Sequence, residues 1–313
     1  MTRALLAAFV LAPALALAAR YDPGSDRAAL RRDASQAHAA IVNATGLALE
    51  AGKVPAITAG LDEGLRLARL ASTTAAALDA AARSRAADME AGAKSGERAA
   101  KELAEPLAEQ RRRWQRQSGE HAELVKKAEK LPDADKKEAQ TLLDKAAGAL
   151  SSAADALRPL EESLHTMSEQ ARAMKAARSD SLAPLVEISS AAASVNRRAE
   201  DLPEPAAAAK ALLGSLGPEP DNAAKALIWE KFKLQRDAAR LLFEAADRVC
   251  NRADDFRRAS AAYERSYDAF EDARREASSG TAGARAHLDR AHKALNAASE
   301  RIKKPAAAPK SQP

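Results

Sequence analysis

The sequence predicts an all-α protein, an elongated bundle of long antiparallel helices with coiled-coil-type heptad packing. Apolar residues recur in alternating steps of four and three residues along much of the chain. Alanine dominates a hydrophobic fraction of 46%, whereas aromatic residues make up only 3%. Side chains at heptad spacing share one stripe of a helix and can be buried only against another helix. Runs of β-branched and aromatic residues bounded by turn residues, which strands need, do not occur.

The first 19 residues are predicted to be a secretory signal peptide. Arg3 supplies a positive charge, residues 4–14 form an apolar run, and Ala16-Leu17-Ala18 offers a small-residue cleavage pattern. The run is shorter than the roughly 20 residues of a membrane-spanning helix, and Pro13 interrupts it. We therefore expect an exported protein, periplasmic or secreted. An uncleaved N-terminal membrane anchor is the alternative.

Residues 26–302 are predicted to form the helical bundle, after a short loop at residues 20–25. Glycine and proline predict where the helices are interrupted. We expect these breaks near residues 52–55, 92–96, 131–133, 179–184, 203–205, 217–221 and 278–283. Short breaks between long helices favour antiparallel neighbours. The tail at residues 303–313 is rich in Lys, Pro and Ala and is expected to be disordered.

The most regular heptad stripe lies in a helix predicted from about residue 222 to residue 277. We call this stripe the seam; its larger members are Phe232, Leu242, Val249, Phe256, Tyr263 and Phe270. Aromatic side chains bury the most area per residue, so this helix is expected to be central to the bundle. The seam residues are candidates for the core first, and for contact with a partner helix second.

Cys250 is the only cysteine, so no disulfide can form within the chain. Its position beside Val249 of the seam predicts a small buried side chain. The alternative is an exposed thiol that links two chains through an intermolecular disulfide.

The densest basic cluster contains Arg111, Arg112, Arg113 and Arg116, with Trp114 among them. One interpretation is a surface for anionic lipid or another anionic polymer, with the tryptophan at the boundary. The other is a solvated helix face around one buried tryptophan. Gln110, Gln117 and His121 take heptad positions of the same helix, where buried polar groups set register or line a ligand cavity.

The sequence Pro-Leu-x-Glu occurs at residues 106–109, 159–162 and 184–187. Amphipathic helices punctuated by proline in this way resemble the exchangeable apolipoproteins, and the resemblance implies lipid coating by apolar helix faces. The alternative interpretation places each proline in the first turn of a helix or at a kink.

Several function classes find no support in the sequence. No nucleophile motif, Gly-rich phosphate loop or metal-ligand spacing of histidines is present. We therefore expect no enzyme activity, no cofactor, no metal and no small-molecule substrate. The net charge of +5 is small among 93 charged residues, so we do not expect a nucleic-acid partner.

These observations predict a non-enzymatic exported scaffold or adaptor of the bacterial cell envelope. It would act through helix-face contacts with an envelope protein or with itself. One alternative is an amphipathic protein that binds anionic lipid or polymer through its Arg-rich faces and basic tail. A second is a helical, chaperone-like holder of envelope proteins.

Overall fold

The computed structural model describes residues 21–217 and 221–304, which form helices and no strand. The all-α prediction is therefore confirmed. The predicted signal peptide at residues 1–19 lies outside the described residues, as does all of the predicted tail beyond residue 304. The helices are α1 (Gly24–Thr45), α2 (Val54–Ala128), α3 (Asp133–Asp180), α4 (Leu182–Asp201), α5 (Pro203–Gly214) and α6 (Asn222–Lys303), with a 3-10 turn at Ala51–Lys53 before α2.

Most helix boundaries follow local chemistry that is visible in the sequence. Helix α2 ends just before Leu131-Pro132, and Pro203 opens α5, where its missing N–H removes no helical bond. Asp221 caps α6, because its side-chain oxygen accepts a 2.6 Å hydrogen bond from the N–H of Ala224. These signals predicted the breaks near 131–133, 203–205 and 217–221.

Two predicted breaks are wrong. Helix α2 runs for 75 residues through the expected break at 92–96, and α6 runs for 82 residues through the one at 278–283. Glycine weakens a helix by about 1 kcal/mol, which tertiary packing can offset. A Cβ on Gly280 would lie 2.7 Å from Leu160, and one on Gly92 would overlap the hydroxyl of Tyr263. These glycines serve close packing rather than a turn.

The three Pro-Leu-x-Glu sequences do not share one structural role. Pro106 lies inside α2 and Pro159 lies inside α3, and both helices continue past the proline. Only Pro184 falls in the first turn of a helix, α4. The repeated sequence therefore does not mark the start of a repeated helical unit.

The chain divides into two compact units, and long helices contribute to both. Among the described residues, unit 1 contains 21–92, 175–217 and 221–263, and unit 2 contains 93–174 and 264–304. One core cluster of unit 1 joins α1, the start of α2, α5 and the start of α6. It contains Ala44, Leu49, Ile57, Leu61, Ala209, Leu213, Ile228 and Phe232.

Glycine also brings α2 close to α1 within unit 1. A Cβ on Gly60 would lie 2.7 Å from the Cβ of Ala44, and one on Gly64 would lie 2.5 Å from Ile41. Both distances are shorter than ordinary van der Waals contact. The two glycines, one helical turn apart, therefore let the two backbones approach more closely than alanine would.

Unit 2 combines the second half of α2 with most of α3 and the end of α6. Its core cluster contains Leu124, Ala128, Ala139, Leu143, Ala146, Leu295 and Ala298. Arg301 near the end of α6 binds the start of α3, at 2.7 Å from buried Asp135 and 2.8 Å from Glu138. Small apolar contacts and this ionic clamp hold the three segments together.

Candidate interaction surfaces

The six seam residues all lie in the core. Phe232, Leu242, Val249 and Phe256 are fully buried, and Tyr263 and Phe270 expose at most 4% of their surface. This burial agrees with the predicted role of the seam in holding the fold. It leaves these side chains no free surface, so another protein could contact them only by displacing a helix of this chain.

Cys250 is buried, as its position in the sequence predicted. The residue is 1% exposed, and its thiol donates a hydrogen bond to the carbonyl of Arg27 at 3.5 Å. Burial raises the pKa of the thiol, and nearby Arg31 only partly opposes this. A thiol in this state is protonated at neutral pH and cannot reach a second chain.

The structure divides the arginine cluster into two residues that pair with acids of the same chain and two that are exposed and form no such pair with a described residue. Arg111 lies 3.6 Å from Glu161 and packs 4.9 Å from the ring of Trp114, while Arg113 forms a 2.6 Å ion pair with Asp289. All of these partners belong to unit 2. Arg112 and Arg116 are exposed, one helical turn apart. Two of the four predicted anionic-surface arginines are therefore already paired with acids of this chain.

The polar heptad residues of α2 attach this helix to α3. Trp114 donates its indole N–H to the carbonyl of Leu150 at 3.0 Å, and the His121 ring lies 3.1 Å from the carbonyl of Leu143. Gln117 is 5% exposed, and its side-chain oxygen has no hydrogen-bond partner among the described residues. These contacts fit a role in helix register better than the lining of a ligand cavity.

An apolar stripe lies on the solvent side of α6 and was not predicted from the sequence. Leu227 and Leu234 are 52% and 51% exposed, and Leu241 continues their seven-residue spacing in a half-buried position. Glu230 and Asp237, both exposed, follow the same spacing beside the leucines. We call residues 227–244 on this side the α6 edge. Each of these leucines lies one position before a residue of the buried seam. The exposed heptad pattern is therefore hard to recognise in the sequence beside the buried one.

Sequence reasoning also missed an open groove between α3 and α6 in unit 2, of about 540 Å³. We call it the α3–α6 groove. It is lined by Leu142, Lys145, Gly148, Ala149, Ser152, His287, Arg290, Lys293, Ala294 and Ala297. The small residues leave space between the two helices, and Lys145, Arg290 and Lys293 line this space. Its members on the two helices are at least 135 positions apart in sequence, so only the fold brings them together.

The described residues contain no group of three His, Cys, Asp or Glu side chains placed to hold a metal ion. His287 and His292, which are close in sequence, contact Arg290 and Asn296 respectively. None of the helices within residues 21–217 and 221–304 combines the length and apolar character needed to cross a bilayer.

Comparison with protein-family models, with curated proteins and with solved structures finds no match to this chain.

Proposed function

We propose that the protein is a non-enzymatic helical scaffold or adaptor of the bacterial cell envelope, acting through helix-face contacts with another protein or with itself. The envelope location is inferred from the N-terminal sequence, which has the pattern of a signal peptide. The part of the chain that contacts a partner is inferred from the α6 edge.

We also infer that the bundle uses antiparallel, coiled-coil-type packing between helices that follow one another in the chain. Polar pairs between α2 and the later helices support this inference. Residues 62, 72 and 79 of α2 form hydrogen bonds with residues 210, 196 and 189 of α5 and α4, respectively. Residue numbers therefore rise along α2 as they fall along the facing helices. In unit 2, Arg111 and His121 of α2 meet Glu161 and Leu143 of α3 in the same descending order.

The observation that carries the proposal is the exposure of Leu227 and Leu234 at heptad spacing. Fully burying a leucine contributes about 1.5–3 kcal/mol, so leaving two half exposed on one stripe forgoes a substantial part of that free energy. A stripe with this spacing is suited to another helix. The edge therefore supports a protein partner better than an enzymatic role.

Mutation of the α6 edge tests the proposal. Native size analysis would compare three samples. They are the isolated chain, cell extracts containing the tagged wild type, and extracts containing the Leu227→Asp/Leu234→Asp variant. We expect the wild type to migrate in a larger complex and the variant to migrate as the isolated chain. Leu70→Asp, on an exposed position of α2, should leave the complex intact. A variant that stays in the complex would overturn the proposal.

The second candidate function is binding to anionic lipid or polymer, which exposed Arg112 and Arg116 favour. Co-flotation of the purified chain with vesicles containing anionic lipid tests it at low and moderate salt. Flotation that salt reverses, and that Arg112→Gln/Arg116→Gln abolishes, would support lipid binding. Sedimentation away from the vesicles at both salt concentrations would exclude it.

A further inference from the structure

The α3–α6 groove is cationic, and none of its lining residues is acidic. Lys145, Arg290 and Lys293 carry positive charge, and no Asp or Glu belongs to the described lining. Lys145 and Lys293 form no ion pair with any described residue, and Arg290 contacts the ring of His287 at 2.8 Å. Of the two acids adjacent in sequence to these cations, Asp289 is paired with Arg113, and Asp144 accepts a hydrogen bond from Gln140. The groove therefore attracts a negatively charged occupant.

The shape of the groove suits a helix. On α3 its lining includes Leu142, Lys145, Ala149 and Ser152, in steps of three, four and three residues. On α6 the same steps separate His287, Arg290, Ala294 and Ala297. Each row is about 15 Å long at the usual helical rise. Two heptad-spaced rows with small side chains form the holes into which a third helix can place its own apolar residues.

Two other occupants fit the observations less well. A small molecule would be bound poorly, because the groove is open and ligand pockets normally bury most of their ligand. A membrane surface is met by protruding Trp, Phe or Leu side chains, whereas alanine and glycine form much of this concave floor. An acidic amphipathic helix fits both the charge and the shape.

The α6 edge has the complementary properties. Leu227, Leu234 and Leu241 form one stripe, and Glu230 and Asp237 form an acidic stripe beside it. Neither of these acids forms an ion pair with a described residue. At seven-residue spacing the side chains within each stripe lie above one another, two helical turns apart. The leucines can therefore enter holes between small residues while the acids lie beside the cations of the groove.

We propose that the α6 edge of one copy docks into the α3–α6 groove of a second copy of this chain. This inference rests on the proposed function, and it specifies that the partner is a second copy of the chain. The leucines contact the floor of the groove, and the acidic stripe of Glu230 and Asp237 lies beside the cations that line it. Because the two surfaces differ, the contact is head-to-tail, and its repetition builds rings or open chains of copies.

Sedimentation velocity with charge-reversed variants tests this contact. The groove variant is Lys145→Glu/Lys293→Glu, the edge variant is Glu230→Lys/Asp237→Lys, and the matched control is Lys136→Glu/Lys137→Glu at exposed positions outside the groove. We expect the wild type and the control to associate with rising concentration, and each reversed variant to associate about a hundredfold more weakly. Mixing the groove variant with the edge variant should restore assembly with the two variants alternating, because the reversed groove matches the reversed edge and the two unchanged surfaces also match each other.

Circular dichroism melts of each variant confirm that it is folded before it is compared. A wild-type chain that stays monomeric across the concentration range would overturn the proposal, as would a mixture of folded variants that does not associate. Neither result would affect the proposed scaffold function with a different protein. The proposed scaffold function would be overturned by a separate result, in which the Leu227→Asp/Leu234→Asp variant remains in the complex found in cells.

Discussion

Phe256 shows how much a single side chain contributes to a core built mainly from alanine. It is fully buried in the seam, and the ring of Tyr21 packs edge-on against it at 4.9 Å between centroids. Aromatic residues are few, so each one fills volume that neighbouring alanines cannot reach. Its burial was predicted from its place in the seam, the longest regular stripe of large apolar residues in the sequence.

Replacing Phe256 by alanine should lower the free energy of unfolding by about 3–5 kcal/mol, because it removes apolar burial and leaves a cavity. Thermal and urea unfolding of the purified chain measure the loss. Leu70→Ala, at an exposed position of α2, is the control and should change stability little. An unchanged melting temperature for Phe256→Ala would place that residue outside the core.

Cys250 predicts a pH dependence of stability. Burial raises the pKa of its thiol, so the folded chain keeps the proton at pH values where an unfolded thiol, with a pKa of about 8.5, has lost it. The unfolded state then binds fewer protons than the folded state, and the free energy of unfolding falls as pH rises above that value. Below it, this contribution is constant.

Urea unfolding of the wild type and of Cys250→Ala between about pH 7 and pH 9.5 measures this effect. We expect the wild type to lose stability with pH more steeply than the variant, whatever the difference between them at neutral pH. Parallel pH profiles would show that the thiol titrates alike in both states.

At the scale of elements, glycine was the least reliable signal in the sequence. Gly92, Gly96 and Gly280 predicted breaks, yet α2 and α6 continue through all three. The cost of glycine in a helix is local and visible in the sequence. Its benefit, a close approach such as that of Gly280 to Leu160, depends on which helix lies opposite. Pro132, Pro203 and the Asp221 cap marked real boundaries because their effects act on the local backbone. Helices α2 and α3, by contrast, continue past Pro106 and Pro159.

The approach of α2 to α1 predicts opposite effects for two glycine-to-alanine changes. Alanine at Gly64 places a Cβ 2.5 Å from Ile41, and overpacking costs about 1–3 kcal/mol, against a helix gain of about 1 kcal/mol. We therefore expect Gly64→Ala to be destabilising. Gly119 has open space around its Cβ position, so Gly119→Ala should stabilise by up to about 1 kcal/mol. Thermal melts of the two variants compare them, and a stabilising Gly64→Ala would show that the helices are not in close contact there.

At the scale of the whole molecule, the sequence predicts the helical class and the core, but it does not predict the surfaces that carry the proposed function. The leucines of the α6 edge and those of the core follow the same spacing, and only the positions of the neighbouring helices decide which ones are covered. The α3–α6 groove requires residues from two distant segments. The arginine cluster looked external in the sequence, but Arg111 and Arg113 are paired with acids of unit 2.

The proposed function requires that the protein contacts its partner through the exposed edge of α6. Site-specific photo-cross-linking tests it most directly, with a photoreactive amino acid at position 234 and, as the control, at position 70, which is exposed to a similar extent. We predict a discrete cross-linked protein product, a second copy of the chain or another protein, from position 234 and none from position 70. Equal labelling from both positions, or no protein product from position 234, would contradict the account.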